Sequence, residues 1–280
     1  MTAIESLPLD GFADTGPTAA APAPGRPVLR LAPPPVPPPT VELFGVSVDS
    51  VTLPEAVEAV RDLVESGTPH QHVVLNAAKV VAMEDDPALR DVISSCSMIL
   101  ADGVSVVLAS RVLGRPLPER VAGIDLFEAL LATAEADGKA VYLLGATQKV
   151  LDELVVELRR RHPRLMIAGT QDGYWTDDDA VVDAVRDARP DYLFLAIPSP
   201  RKEFWLNDHL EALGVPFVMG VGGSFDVLAG KTSRAPRCVQ KIGMEWAWRL
   251  CQEPRRMFKR YLVGNSRFVA LVARTWWRQQ

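Results

Sequence analysis

From Val41 onward, short β-branched runs alternate with longer stretches whose apolar residues recur every three or four positions. The runs at 41–48, 72–76 (HVVLN), 97–100, 140–144 (AVYLL), 165–168, 191–196 (DYLFLA) and 215–219 predict strands. They are nearly continuous in apolar character, the mark of strands covered on both faces. Helical periodicity predicts helices near 52–66, 87–95, 123–137, 147–161, 178–188 and 200–213. Thr52 stands where an N-cap belongs, with Pro54 and Glu55 in the first turn. The alternation predicts an α/β fold: a Rossmann-like, mostly parallel sheet with helices on both faces. Such sheets bind ligands outside the carboxyl ends of their strands, which selects the residues to examine.

Both flanks depart from this pattern. Residues 1–40 are rich in Pro and Ala (APAPGRP, APPPVPPPT), lack the donors a ladder needs, and predict a disordered or polyproline II segment outside the fold. The core is expected over 41–232, followed by a helical appendage over 233–280 with short helices at 237–252, 254–262 and 266–277. In that appendage Trp246, Trp248, Phe258, Tyr261, Phe268, Trp276 and Trp277 interleave with arginines and lysines, a mixture suited to a bilayer interface.

Charge sharpens the division. The formal net charge is −5, yet the stretch from Lys231 to the end carries twelve Lys or Arg against two acids, leaving −15 on the remainder. An acidic body with a basic tail points to an anionic partner for the tail, and the body's own charge argues against a nucleic acid. Length bounds the chain to one sizeable domain plus tails. Cys96, Cys238 and Cys251 are too sparse for a disulfide framework and fit a reducing compartment. No run has the apolar length of a spanning helix, and the acidic N-terminus does not resemble a secretory signal. His70 and His72 lack further ligands nearby in sequence and read as surface residues at the start of a strand.

Candidate chemistry follows the strands. Asn76 ends HVVLN, Asp102-Gly103 ends SMILADG, Gly145 follows AVYLL, and Gly220, Gly222 and Gly223 form the run GVGGSFD. A carboxylate at a strand's end suits a general base, so Asp102 is a candidate, with helix capping as the alternative. The glycine run can bring backbone to a phosphate or merely turn the chain; it lacks both the dinucleotide fingerprint and the P-loop lysine. Asp177-Asp178-Asp179 contains a formal D-x-D, but it follows Thr176 at a predicted helix start, where acids favour the dipole, so no metal site is assigned. Arg120 and the tail arginines are better placed to offset charge on a leaving diphosphate.

The strings VVLNAAKVV, ADGVSVVLASRVLGRPLPERVAGIDL, AVYLLGA, IAGTQDGYW, IPSPRKEFW, VMGVGGSFDVLAGKTSRAPR and EWAWRLCQEPRR, in this order over 41–271, resemble the WecG/TagA/CpsF glycosyltransferases. The resemblance implies an inverting transferase that uses no cofactor or metal. It implies a UDP-sugar donor (hexose, N-acetylmannosamine or uronic acid type) and a polyprenyl-diphosphate-linked sugar acceptor, in exopolysaccharide or cell-surface polysaccharide synthesis. It also implies a cytoplasmic protein held peripherally at the inner face of the membrane by its basic appendage. Carried over residue by residue, Asp102 is the base and Arg120 handles the diphosphate. Asn76, Gly103, Gly145, Lys202, Gly220, Gly222 and Gly223 line the substrate sites, and Arg249 and Arg256 reach in from the tail. Two positions depart from the family pattern: Val74 stands where Thr is common, and Lys202 where Gln is common. The alternative of another class is a non-catalytic nucleotide-sugar-binding scaffold, distinguished by binding without turnover. A homo-oligomer is compatible with the sequence, which does not set the oligomeric state.

Overall fold

The structure, a computed structural model, describes residues 38–236 and 254–279, with isolated positions 239 and 248. The Pro-rich segment up to residue 37 and the helix expected over 237–252 lie outside the described residues.

Strands β1 (Thr40–Leu43) and β2 (Val46–Asp49) form an antiparallel hairpin, a sheet of its own. This corrects the single strand expected over 41–48. Phe44 and Gly45 both take positive φ, the turn geometry that matches a hairpin's twist, and they break the run in two. Helix α1 (Leu53–Ser66) opens as its sequence foretold: the Thr52 N–H donates to the Glu55 carboxylate at 2.7 Å, and Pro54 sits in the first turn.

Six strands then build the main sheet: β3 (His70–Leu75), β4 (Met98–Ala101), β5 (Ala140–Gly145), β6 (Met166–Gln171), β7 (Tyr192–Ala196) and β8 (Phe217–Gly220). They lie in the order β4-β3-β8-β7-β5-β6, and every pairing is parallel. Between them run α2 (Ala77–Asp85), α3 (Pro87–Ser95), α4 (Val104–Val112), α5 (Gly123–Asp137), α6 (Gln148–Arg161), α7 (Asp178–Ala188), α8 (Arg201–Leu213) and α9 (Ser224–Leu228).

Alternating strand residues divide the core. Met98, Leu100, Phe194, Phe217 and Met219 face one side and pack with α1, α5, α6 and α9. Val73, Leu75, Ile99 and Ala101 face the other and pack with α2, α3 and α4; on that same side Leu193, Leu195 and Val218 pack with α7 and α8. Helices therefore cover both faces, and the continuous apolar strands are accounted for.

The last helix, α10 (Pro254–Trp277), is one continuous element. It replaces the two helices expected over 254–262 and 266–277. Phe268 and Leu271 are buried in the cluster around α2, and the Phe268 ring lies 5.5 Å from Phe44 of the hairpin turn. Arg267 pairs with Asp85 at 2.6 Å, and Arg274 pairs with Glu84. An internal glycine costs a helix about 1 kcal/mol, which this packing outweighs at Gly264. No described helix is long and apolar enough to cross a membrane.

Candidate active site

The sheet's topology opens a crevice. After β3 the chain enters α2 on one face; after β8 it enters α9 on the other. Neighbouring strands whose exits diverge in this way leave a gap at their carboxyl ends. The β3–β8 register covers only His70–His72, although β3 stays paired with β4 up to Leu75. Past His72 the space between β3 and Gly220 is bounded by Val74, Lys202 and Glu203.

Several sequence-selected residues meet at this rim. The Asp102 N–H donates to the Leu75 carbonyl at 3.0 Å, placing its carboxylate directly after β4 and beside the end of β3. The Gly123 N–H, at the start of α5, donates to Asp102 Oδ1 at 3.3 Å. Gly103 occupies the N-cap of α4 and makes no side-chain bond there. Gly103 lies against Asn76: a Cβ there would stand 3.6 Å from the Asn76 Cα. Asn76 caps α2 through Oδ1, accepting from the Lys79 N–H at 3.0 Å, which leaves its amide nitrogen as a donor.

The segment before α5 brings cations. The Val121 N–H donates to the Ala101 carbonyl at 3.0 Å, holding Arg120 next to the end of β4. Arg120 lies 3.9 Å from Asp125 in the first turn of α5, and Arg234 pairs with the same carboxylate at 2.6 Å. Arg234, in the string SRAPR, was not singled out from the sequence; its pairing with Asp125 is visible only in three dimensions.

Gly220, Gly222 and Gly223 form the opposite rim, where β8 turns into α9. The Lys202 side chain lies across Gly220, donating from Nζ to its carbonyl at 3.1 Å; a Cβ on Gly220 would stand 2.8 Å from Lys202 Cδ. Gly145 is two strands away, at the end of β5. Its φ of +110° and the Ala196 carbonyl, 2.6 Å from where a Cβ would be, give it a packing reason to be glycine. Arg249 lies outside the described residues, as does the side chain of Arg256, whose backbone is in α10.

Behind the rim sits a buried charged layer. Lys79 and Glu203 pair at 2.7 Å with side chains 5% and 2% exposed, and Lys202 stands 3.7 Å from the same Glu203 oxygen. Burial pushes the Glu203 carboxyl up, but the ammoniums of Lys79 and Lys202 overcome this and hold it below its usual range. Burial, then the charge of Lys79, lowers Lys202 to about 8, with Glu203 and Asp102 acting in the opposite direction. His72 corrects the surface reading of the two histidines: it is 2% exposed, and burial followed by the two lysine charges lowers it to about 3. It is therefore neutral at physiological pH.

Two acids of the D-x-D string have structural partners. Asp177 caps α7, accepting from the Ala180 N–H at 3.1 Å, and Asp178 accepts the indole N–H groups of Trp175 and Trp205 at 2.6 and 2.7 Å.

Comparison with known proteins gives this arrangement a context. The profile of the glycosyl transferase WecG/TagA/CpsF family matches residues 41–280. A Bacillus spizizenii N-acetylglucosaminyldiphosphoundecaprenol N-acetyl-β-D-mannosaminyltransferase is 36% identical over 187 residues, 67% of this chain and 72% of that one. A Staphylococcus aureus protein of the same name is 31% identical over 219 residues, 78% of this chain and 86% of that one.

Proposed function

This chain belongs to the WecG/TagA/CpsF family of glycosyltransferases, and from that membership we propose that it moves one sugar from a UDP-sugar to a polyprenyl-diphosphate-linked sugar, inverting the anomeric centre. The observation that carries the reading is the placement of Asp102 at the carboxyl end of β4, its carboxylate accepting from the Gly123 N–H at the start of α5, the helix whose first-turn Asp125 faces Arg120 and Arg234. The acceptor hydroxyl attacks the anomeric carbon while Asp102 takes its proton. The bond from that carbon to the pyrophosphate oxygen breaks, and UDP leaves with the electron pair. Base catalysis of this kind contributes about 10²–10⁴-fold. Arg120, with Arg249 and Arg256 arriving from the tail, offsets the charge that develops on the leaving diphosphate.

The proposed reaction uses no metal, because arginines supply the positive charge that a metal would otherwise bring. The two relatives are named for transferring N-acetylmannosamine to N-acetylglucosaminyl-diphosphoundecaprenol, which makes that acceptor the first to test. A polyprenyl-linked acceptor would also place the enzyme peripherally at the inner face of the membrane, with its basic appendage against anionic lipid.

The test is a donor panel: purified protein with that acceptor and UDP-glucose, UDP-N-acetylmannosamine or UDP-glucuronate, read by product mass. The expected result is an acceptor heavier by one sugar residue, with yield unchanged by a chelator. Binding of donors with no product from any of them would favour the scaffold reading.

A further inference from the structure

Helix α5 begins without a side-chain cap: its N-cap residue is Ala122. Its first turn nevertheless lies close against the sheet, where a Cβ on Gly123 would stand 3.3 Å from Val74 Cγ1. That turn serves the candidate site twice. The Gly123 N–H donates to Asp102 Oδ1, and Asp125 stands 3.9 Å from Arg120. A helix start with no cap of its own needs another anchor. Arg234 supplies one from outside the helix. It pairs with Asp125 at 2.6 Å and stands 3.6 Å from Glu128, so one guanidinium spans two acids three residues apart on one face of α5. The Arg234 side chain is 21% exposed, which screens the pair less than open solvent would. Its own segment is held in place. The Lys231 and Thr232 N–H groups donate to the Asp226 carbonyl at 2.9 and 3.2 Å, and Ala235 is buried. Lys231 stands 3.8 Å from Glu153 of α6. The segment is thus fastened by separate contacts, Lys231 to α6 and Arg234 to the first turn of α5.

We propose that Arg234 is a positioning residue for the transfer reaction. By clamping Asp125 it fixes the first turn of α5, and through that turn it holds the Gly123 N–H on Asp102 and orients Arg120. This deepens the function proposed above and rests on it. The charged groups around the clamp are Arg120 from the segment before α5, Glu128 on α5 itself, and Arg161 from α6, 3.4 Å from Glu128; across the site, Lys202 of α8 senses the Asp102 charge. When the clamp is released, Asp102 loses its N–H donor. A carboxylate that loses such a donor binds its proton more tightly.

The experiment is steady-state transfer by the full chain to N-acetylglucosaminyl-diphosphoundecaprenol, from whichever of the three panel donors reacts fastest, over about pH 5 to 9. Arg234→Gln is expected to lower kcat about tenfold or more with donor KM little changed, and to move the acid limb of the kcat profile to higher pH. Asp125→Asn is expected to do the same, and the double variant to be no slower than the slower single one. Removing the Asp125 charge by itself would move the limb to lower pH, so a shift to higher pH in both variants identifies the lost N–H donor. A loss of folded protein would scale kcat at every pH and leave the limb in place. Lys231→Gln, which releases the segment from α6 alone, is expected to transfer at the wild-type rate. If Arg234→Gln does not fold, Asp125→Asn carries the same limb prediction. Wild-type rate and limb in a folded single variant, losses that multiply in the double variant, or an equal loss in Lys231→Gln overturns the proposal while leaving the transferase reading intact. A wild-type protein that transfers nothing from any of the three donors overturns both.

Discussion

A buried ammonium needs a counter-charge, and Lys79 and Lys202 share one, Glu203, within 3.7 Å of both. Removing a single partner of a buried ion pair leaves its mate in a low-dielectric site with no compensation. Glu203→Gln is therefore expected to lower unfolding free energy by about 3–5 kcal/mol, read from urea midpoints at pH 7. A loss below 1 kcal/mol would show that the two lysines do not depend on this carboxylate. Sequence made some of these residues legible and not others. Asp102 and Asn76 stand out because they are polar where an apolar strand ends. Lys79 and Glu203 look like ordinary helix-surface residues, and nothing local announces that α2 and α8 press them together. His72 misleads for the same reason: its strand was recognisable, but its side chain is buried near Lys79 of α2, Lys202 of α8 and the Phe217 ring of β8, the latter two far away in sequence.

At the scale of elements, periodicity worked where a helix has one wet face, as in α1, α6 and α7. It failed for α2 and α4. α2 buries Ala77, Lys79, Val80, Val81 and Met83, residues spread around its circumference, because it lies between the sheet and α10. A helix covered on two sides carries no amphipathic signal. α10 itself has an inner face fixed by Phe268 and Leu271 and leaves Val269, Trp276 and Trp277 exposed at 65%, 40% and 75%. Indole rings at a helix end favour the headgroup region of a bilayer. Replacing both Trp276 and Trp277 by serine is expected to reduce co-sedimentation with anionic phospholipid vesicles severalfold, with the thermal midpoint unchanged. Undiminished sedimentation would remove these side chains from any membrane contact.

Over the whole molecule, the candidate site is assembled from five separated stretches: Asn76, Asp102-Gly103, Arg120 to Gly123, Lys202 and Gly220 to Gly223. Parallel βα units place every strand's carboxyl end on one edge, so residues far apart in sequence converge there. The order of the strands, with β8 inserted beside β3, is what sets the glycine turn opposite Asp102. The alternation of elements gives the fold class but not this order, which is why the crevice could not be located from sequence. The central claim is that the Asp102 carboxylate removes the acceptor's proton at this crevice. It is tested most directly by single-turnover transfer with wild-type protein and Asp102→Asn, each saturated with the donor that the panel identifies. The amide is close to isosteric and can still accept from the Gly123 N–H, but it is not a base. The account predicts unchanged donor affinity and a transfer rate lower by about 10²–10⁴-fold; transfer at the wild-type rate would contradict it.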